Sequence, residues 1–305
     1  MALCDTYLWE VVRSVEPTTT QKDGAARSQN YLRDLLNTGQ MANRIQRSYL
    51  SGSYARDTAV YPLDDVDIIF VIYPNAWVSP LFDPTPRVVL DSFASAIRYR
   101  YPVSSVYGQR RSVRLQLYHL DIDVVPAIQD RNDNKLIRIP DTTANNWIYS
   151  SPLRHAENAT QVNSKRSGRF KPLVKLLKHW NYNLPSTARF KSFAIETMAV
   201  TLFEAIDIPT LQEGLKYFFD FVAFASGNRS EFVWRDSYGI SLGYSRTTVM
   251  DAAGTRTNVT ADVTEDTRKR FVEHAVRSRN KIVESLNSAY TDTACRRVAE
   301  ALKLS

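Results

Sequence analysis

The sequence predicts an α+β protein, with a small mixed sheet and helices in the first half and a mostly helical lobe in the second. Three observations carry this reading. The run Ile68-Ile69-Phe70-Val71-Ile72 is β-branched and aromatic, is closed by Pro74, and reads as a buried strand. A second apolar stretch, from Val113 to Val125, carries acids at its end. From about His155 onward the apolar residues recur at helical spacing instead.

Taken in order, residues 5–36 read as helical, with a break near 17–20, and Leu32, Leu35 and Leu36 form a core-facing stripe. Residues 45–50 read as a first strand leading into a Gly-Ser turn. Residues 74–86 hold four prolines and read as a loop. Residues 88–101 form a helix with Val89, Phe93, Ala96 and Ile97 on one face, and strands follow around 103–106 and 113–125. In the second half, helices are expected at 170–180, 193–206, 211–225, 267–286 and 294–304. The expected division is into residues 1–155, a catalytic core with its N-terminal helix, and 156–305, a helical lobe, with the active site in a cleft between them.

The chemistry concentrates in Gly52-Ser53-Tyr54-Ala55-Arg56 and Leu63-Asp64-Asp65-Val66-Asp67-Ile68-Ile69-Phe70-Val71-Ile72. Alternate residues of a strand share a face, so Asp65 and Asp67 project together, roughly 6–7 Å apart along the chain. Two such charges at the mouth of a buried strand repel unless a cation lies between them, which points to metal. Gly52 lets a ligand approach the backbone, and Ser53 adds a hydroxyl donor. Phosphate held beside a carboxylate pair suits phosphoryl or nucleotidyl transfer. A third acid is expected from the second acidic strand, where Asp121 and Asp123 share a face. Val113, Leu115 and Leu117 have that same parity, which one regular strand would forbid, so a bulge or break near 118–120 is expected.

Gly-Ser, Arg56, Thr58 and Asp-x-Asp within a hydrophobic strand resemble the signature of the polymerase-β-like nucleotidyltransferase superfamily. The run GSYARDTAVYPLDDVDIIFVI looks most like the bacterial cGAS/DncV-like nucleotidyltransferases (CD-NTases), themselves similar to oligoadenylate synthetases. The resemblance implies a polymerase-β-like core and synthesis of cyclic di- or trinucleotide messengers from nucleoside triphosphates, ATP or GTP, in anti-phage (CBASS) defence. It implies two Mg2+ ions, with Mn2+ as a substitute, held by Asp65, Asp67 and Asp123. Asp123-Val124-Val125-Pro126-Ala127 matches the oligoadenylate-synthetase-like pattern, which leaves Asp121 as the runner-up. In the second half, Lys178 in Leu-Leu-Lys-His-Trp and Ser192 before Phe193 match positions that contact phosphate and stack on a base. Tyr54 is a further cleft candidate and Asn163 a candidate for base choice. Asp251 and Asn258 are expected to organise a turn.

Composition narrows the alternatives. The apolar fraction of 44% and charged fraction of 23% are those of a globular chain, which excludes a disordered or fibrous one. The net charge of +7 suits polyanionic nucleotides. Lys165-Arg166-Ser167-Gly168-Arg169, the densest basic cluster, reads as a solvated loop or a phosphate-facing one. No apolar run approaches a membrane span, no secretory signal is visible, and Cys4 and Cys295 stand at opposite ends with no pairing partner evident, so a cytoplasmic protein is expected. Regulatory or effector proteins of a defence operon are expected partners, and a nucleic-acid template is not. Two rival readings stay open: an RNA- or tRNA-terminal nucleotidyltransferase, and a catalytically silent nucleotide-sensing module.

Overall fold

The computed structural model describes residues 4–77, 83–224 and 248–304. These fall into two compact units, Pro17–Ala156 and Met1–Glu16 together with Glu157–Ser305. Pro17 marks the first division. Helix α1 (Asp5–Val15) ends at Glu16, whose extended backbone suits a residue before proline. Helix α2 (Thr19–Thr38) begins in a capping box: the Thr18 hydroxyl accepts from the Gln21 N–H at 3.2 Å, and the Gln21 side chain accepts from the Thr18 N–H. The expected break is therefore present, but α1 belongs to the helical unit rather than to the first domain. Its apolar stripe, Leu8, Val11, Val12 and Val15, is buried in that unit's core.

The first unit is built on one mixed sheet. Strand β1 (Ile45–Ser51) leads through a single helical turn, α3 (Gly52–Ala55), and a loop into β2 (Asp65–Ile72). Helix α4 (Pro86–Arg100) precedes β3 (Ser105–Gly108), β4 (Val113–Gln116) and β5 (Asp121–Gln129). The order across the sheet is β1-β2-β5-β4-β3, with β2 and β5 parallel and the other neighbours antiparallel. A further hairpin, β6 (Ile137–Asp141) and β7 (Asn146–Ser150), pairs onto the end of β5 and was not anticipated from sequence. Its turn uses Asn145 with φ 47°, a left-handed conformation that Asn tolerates. The proline-rich loop at 74–86 is described only in part, and Ala225, the expected end of a helix, lies outside the described residues.

The expected break in the second acidic stretch is a tight turn. The Leu117 N–H donates to the Leu120 carbonyl at 3.0 Å, and β4 folds back antiparallel onto β5. Val113 and Leu115 then oppose Val124 and Ile122 on the buried face, which removes the parity conflict. Strand β2 is buried on both faces, as a continuous apolar run requires. Ile68, Phe70 and Ile72 join Leu32, Val89, Phe93 and Ile97 in one cluster. Ile69 and Val71 join Val125, Ala127 and Ile137 in a smaller one on the opposite face.

The second unit is helical. Helix α5 (Pro152–Lys165) contains the unit boundary, and α6 (Phe170–Tyr182), α7 (Ser192–Ala205), α8 (Leu211–Phe224), α9 (Glu265–Leu286) and α10 (Thr291–Leu302) follow. Trp180 of α6 meets Phe219 and Phe271 edge-on at 4.9 and 5.3 Å, and its indole N–H donates to the Ser278 hydroxyl at 2.9 Å. Cys4 and Cys295, expected to be unrelated, lie side by side in this unit. Among the described residues no helix is long and apolar enough to cross a membrane.

Candidate active site

The register of two parallel strands assembles the acidic centre. Asp65 lies opposite Asp121, and Asp67 opposite Asp123. All four share the face of the sheet that carries Ile69, Val71, Val125 and Ala127 further along. The apolar half of that face is covered by Ile137 of β6, and the half nearer the strand starts carries the acids. Asp123 is buried, and Asp65 is the most open of the acids named as ligands.

One cation lies among them. Arg114 stands opposite Asp123 across β4 and β5. Its guanidinium holds Asp123 in a two-pronged bond, Nε to Oδ1 at 3.0 Å and Nη2 to Oδ2 at 2.6 Å, and its Nη1 donates to Asp121 Oδ2 at 3.2 Å. Asp65 is 4.0 Å away. The bond to Asp123 holds the guanidinium proton more firmly than usual. Sequence reasoning missed Arg114. Its signal was the turn at 118–119: counting outward from it along both arms sets Arg114 against Asp123.

Asp67 is the strained member. Burial pushes its carboxyl up to about 7, the charges of Asp65 and Asp123 add to this, and Arg56 and Arg114 oppose it. Burial also raises Asp65, followed by repulsion from Asp123. Gly52 explains how Asp67 fits. It has φ +69°, and a Cβ there would stand 1.9 Å from Asp67 Oδ2. Glycine is thus required both by the turn and by the carboxylate against it. Ser53 follows in the same turn, and its carbonyl accepts from the Thr58 N–H at 3.0 Å. Arg56 and Thr58 are buried beneath. The structure therefore brings Gly52, Asp65, Asp67, Asp121 and Asp123 together, with Ser53 adjoining.

The donor set fits a hard divalent cation: carboxylate oxygens with excess negative charge beside a glycine that opens the backbone. The Arg114 guanidinium is the cation already bound to part of that set. Among the described residues no three metal-ligating side chains stand grouped at coordination spacing. Asp121 and Asp123 are turned onto Arg114, and Asp65 and Asp67 repel each other.

The second-half candidates are placed differently from expectation. Lys178 does not present its ammonium to solvent. It is 3% exposed and bonds Glu196 of α7, equally buried, at 2.8 Å. Ser192 is the first residue of α7 rather than its cap, which is Lys191. Phe193 is half-buried, and its carbonyl accepts from the Thr197 hydroxyl. The Tyr54 ring packs on the sheet core and its hydroxyl donates to the Lys22 carbonyl. Asn163, the candidate for base choice, accepts from the Lys171 N–H at 3.0 Å at the start of α6. Arg166, from the basic cluster, donates to the Phe203 and Glu204 carbonyls at the end of α7. Asp251 and Asn258 do organise their turn, accepting from Ala253, Thr255 and Thr260.

Three outcomes are expected from this geometry. Gly52→Ala displaces Asp67; displacement near 1 Å costs about 100-fold in turnover, with the far-ultraviolet circular dichroism unchanged. Because the folded pKa of Asp67 is raised, its contribution to stability is full below the unfolded carboxylate pKa and is lost as pH rises through about 7. In EDTA, Asp67→Asn therefore flattens the fall in melting temperature between pH 5 and 8, a difference on the order of 5 °C at pH 8. Lys178→Met leaves Glu196 buried without its ammonium and costs about 3–5 kcal/mol in denaturant unfolding; Lys178→Met with Glu196→Leu recovers most of that. A change in nucleotide affinity with no change in stability would instead make Lys178 a direct phosphate ligand.

Comparison with known proteins identifies the family of the chain. Residues 1–163 match the Second Messenger Oligonucleotide or Dinucleotide Synthetase domain family. A cyclic AMP-AMP-AMP synthase from an Acinetobacter species is 31% identical over 301 residues, covering 93% of this chain and 80% of the relative. The CBASS oligonucleotide cyclase CdnC of Escherichia coli strain KTE188 is 25% identical, covering 77% of this chain and 75% of that one. The solved CdnC of E. coli MS115-1, in complex with a HORMA protein, superposes with a TM-score of 0.74 at 19% identity, covering 98% of this chain and 97% of that one. The chain belongs to the second messenger oligonucleotide or dinucleotide synthetase family, the bacterial cGAS/DncV-like nucleotidyltransferases, and is a nucleotidyltransferase of the cyclic-oligonucleotide-producing kind.

Proposed function

We propose that this chain condenses ATP into a cyclic oligoadenylate, with a three-membered ring as the principal product, in the CBASS class of anti-phage defence. The observation that carries the reaction is the parallel register that sets Asp65 and Asp67 against Asp121 and Asp123. The choice of ATP and of ring size rests on the Acinetobacter relative.

Asp65, Asp67 and Asp123 are the residues that would hold two Mg2+ ions. Bound there, such ions would supply Lewis acidity for an attacking hydroxyl and positive charge for a leaving pyrophosphate. Gly52 lets the donor phosphates approach the chain beside Asp67, and Ser53 donates a hydroxyl to them. Arg114 is a positioning residue: it keeps Asp123 and Asp121 oriented and offsets their mutual repulsion. Within the helical unit, Lys178 pairs with Glu196 of α7, the helix that starts with Ser192, a candidate for phosphate contact, and Phe193, a candidate stacking face for a base. A hydroxyl of the acceptor nucleotide attacks the α-phosphorus of the donor and pyrophosphate leaves. Repetition lengthens the chain, and attack by its own terminal hydroxyl closes the ring. Each bond formed releases one pyrophosphate. No side-chain nucleophile is needed, because positioning and charge neutralisation supply the catalysis. Control by a protein partner belongs to the same proposal, since the solved E. coli relative is bound to a HORMA protein.

The test is incubation with each nucleoside triphosphate and Mg2+ or Mn2+, with and without the cognate partner, followed by phosphatase treatment and mass analysis. The expected product from ATP is resistant to phosphatase, forms without RNA, and has the mass of a cyclic triadenylate. Asp65→Asn, Asp67→Asn and Asp123→Asn each reduce it by at least about 1,000-fold. Phosphatase-sensitive ladders growing on added RNA would replace this reading with RNA-terminal transfer.

A further inference from the structure

The two cysteines lie at the extremes of the sequence and meet in the structure. Cys4 caps the start of α1, where its carbonyl accepts from the Leu8 N–H at 2.9 Å. Cys295 lies in α10. Their sulfurs are 2.8 Å apart, with both residues present as thiols. The two side chains thus stand against each other, as a pair that can be joined must. The Cys4 sulfur is held further by the Ser285 hydroxyl at 3.9 Å and the Thr291 carbonyl at 4.0 Å. Ser285 is itself fixed, donating to the Ala294 carbonyl and accepting from Gln212.

We propose that Cys4 and Cys295 are an intrachain oxidation site, which a hydroperoxide or a small-molecule disulfide converts into a disulfide joining the first helix to the last. The two sulfurs differ in access. Cys4 is wholly buried, whereas Cys295 is half-buried and is the sulfur an oxidant meets first. Burial pushes the Cys4 thiol up to about 12, and its hydrogen bond with Cys295 adds to this, so alone it is inert near neutral pH. With peroxide, the Cys295 sulfur takes one oxygen as the O–O bond breaks, giving a sulfenic acid and water. The Cys4 sulfur then displaces hydroxide from Cys295, its proton leaves with that hydroxide as a second water, and the S–S bond forms. Overall, two thiols and one peroxide give one disulfide and two waters. In a reducing compartment the pair remains dithiol, and the site responds when oxidant rises.

The crosslink would close a loop of nearly the whole chain. Loops of that size remove the most conformational freedom from the unfolded state. Both sulfurs belong to the helical unit, whose α1 is contributed from the far side of the inserted sheet unit in sequence. The bond would therefore secure the one helix of that unit that is distant from the rest in the chain.

The experiment uses the full chain, reduced and then treated with hydrogen peroxide or oxidised glutathione. The expected result is loss of two hydrogens by intact mass and a peptide linking Cys4 to Cys295. Mobility increases on a denaturing gel run without reductant, and the melting temperature rises by roughly 5–10 °C, reversed by dithiothreitol. Cys295→Ser abolishes all four changes while leaving the melting temperature of the reduced protein within about 2 °C of wild type. Two thiols still open to alkylation in denaturant after oxidation, a stable oxygen or glutathione adduct on Cys295 alone, or a disulfide between two chains would each overturn the proposal. These readouts do not depend on nucleotide chemistry and stand whether or not the proposed product is made.

Discussion

Mutual repulsion among four carboxylates on two adjacent parallel strands is the constraint around which the sheet unit is organised. Asp65, Asp67, Asp121 and Asp123 occupy one face because β2 and β5 run parallel in direct register. Like charges at such spacing, partly removed from water, oppose folding. The structure answers with Arg114 from β4 and Arg56 beneath the glycine turn, both of which lower the cost of the Asp67 charge. Neither removes it, and Asp67 remains raised. The site is thus left short of positive charge where a divalent cation with phosphate ligands would supply it.

The core of the sheet unit depends on covering β2 twice. Its even-numbered residues meet α2 and α4 in the larger cluster, and its odd-numbered ones meet β5 and the β6–β7 hairpin in the smaller. The hairpin covers only the far half of the second face, and the near half carries the acids. Rigid apolar packing directly beyond Asp67 and Asp123 holds both backbones, so carboxylate placement inherits the precision of the strands rather than the looseness of a loop.

In the helical unit the corresponding device is the buried pair of Lys178 and Glu196. An ion pair at this depth gains little net stability but defines geometry, because neither partner tolerates loss of the other. It ties α6 to the first turns of α7, where Ser192 and Phe193 stand. The lysine that sequence resemblance assigned to phosphate is paired here with a glutamate of the next helix.

Local pattern alone determined a good part of this protein. The buried strand at Ile68 to Ile72, the acidic pair on one face, the helix break at Pro17 and the helices from α6 to α10 are all encoded in short-range periodicity, caps and prolines. The family followed from the residues around Gly52, Asp65 and Asp67, since that spacing is set within one strand and one turn. Other features needed the tertiary structure, because they depend on which segments pair. The β6–β7 hairpin alternates too weakly over five-residue strands to be distinguished from loop. Arg114 became a site residue only when β4 folded against β5, and Lys178 became half of a buried ion pair only when α6 packed on α7. The α1 helix changed domain because its apolar stripe found its partner far along the chain. Cys4 and Cys295 met for the same reason: contacts between the ends of a chain are decided by global packing and leave no local trace in the sequence.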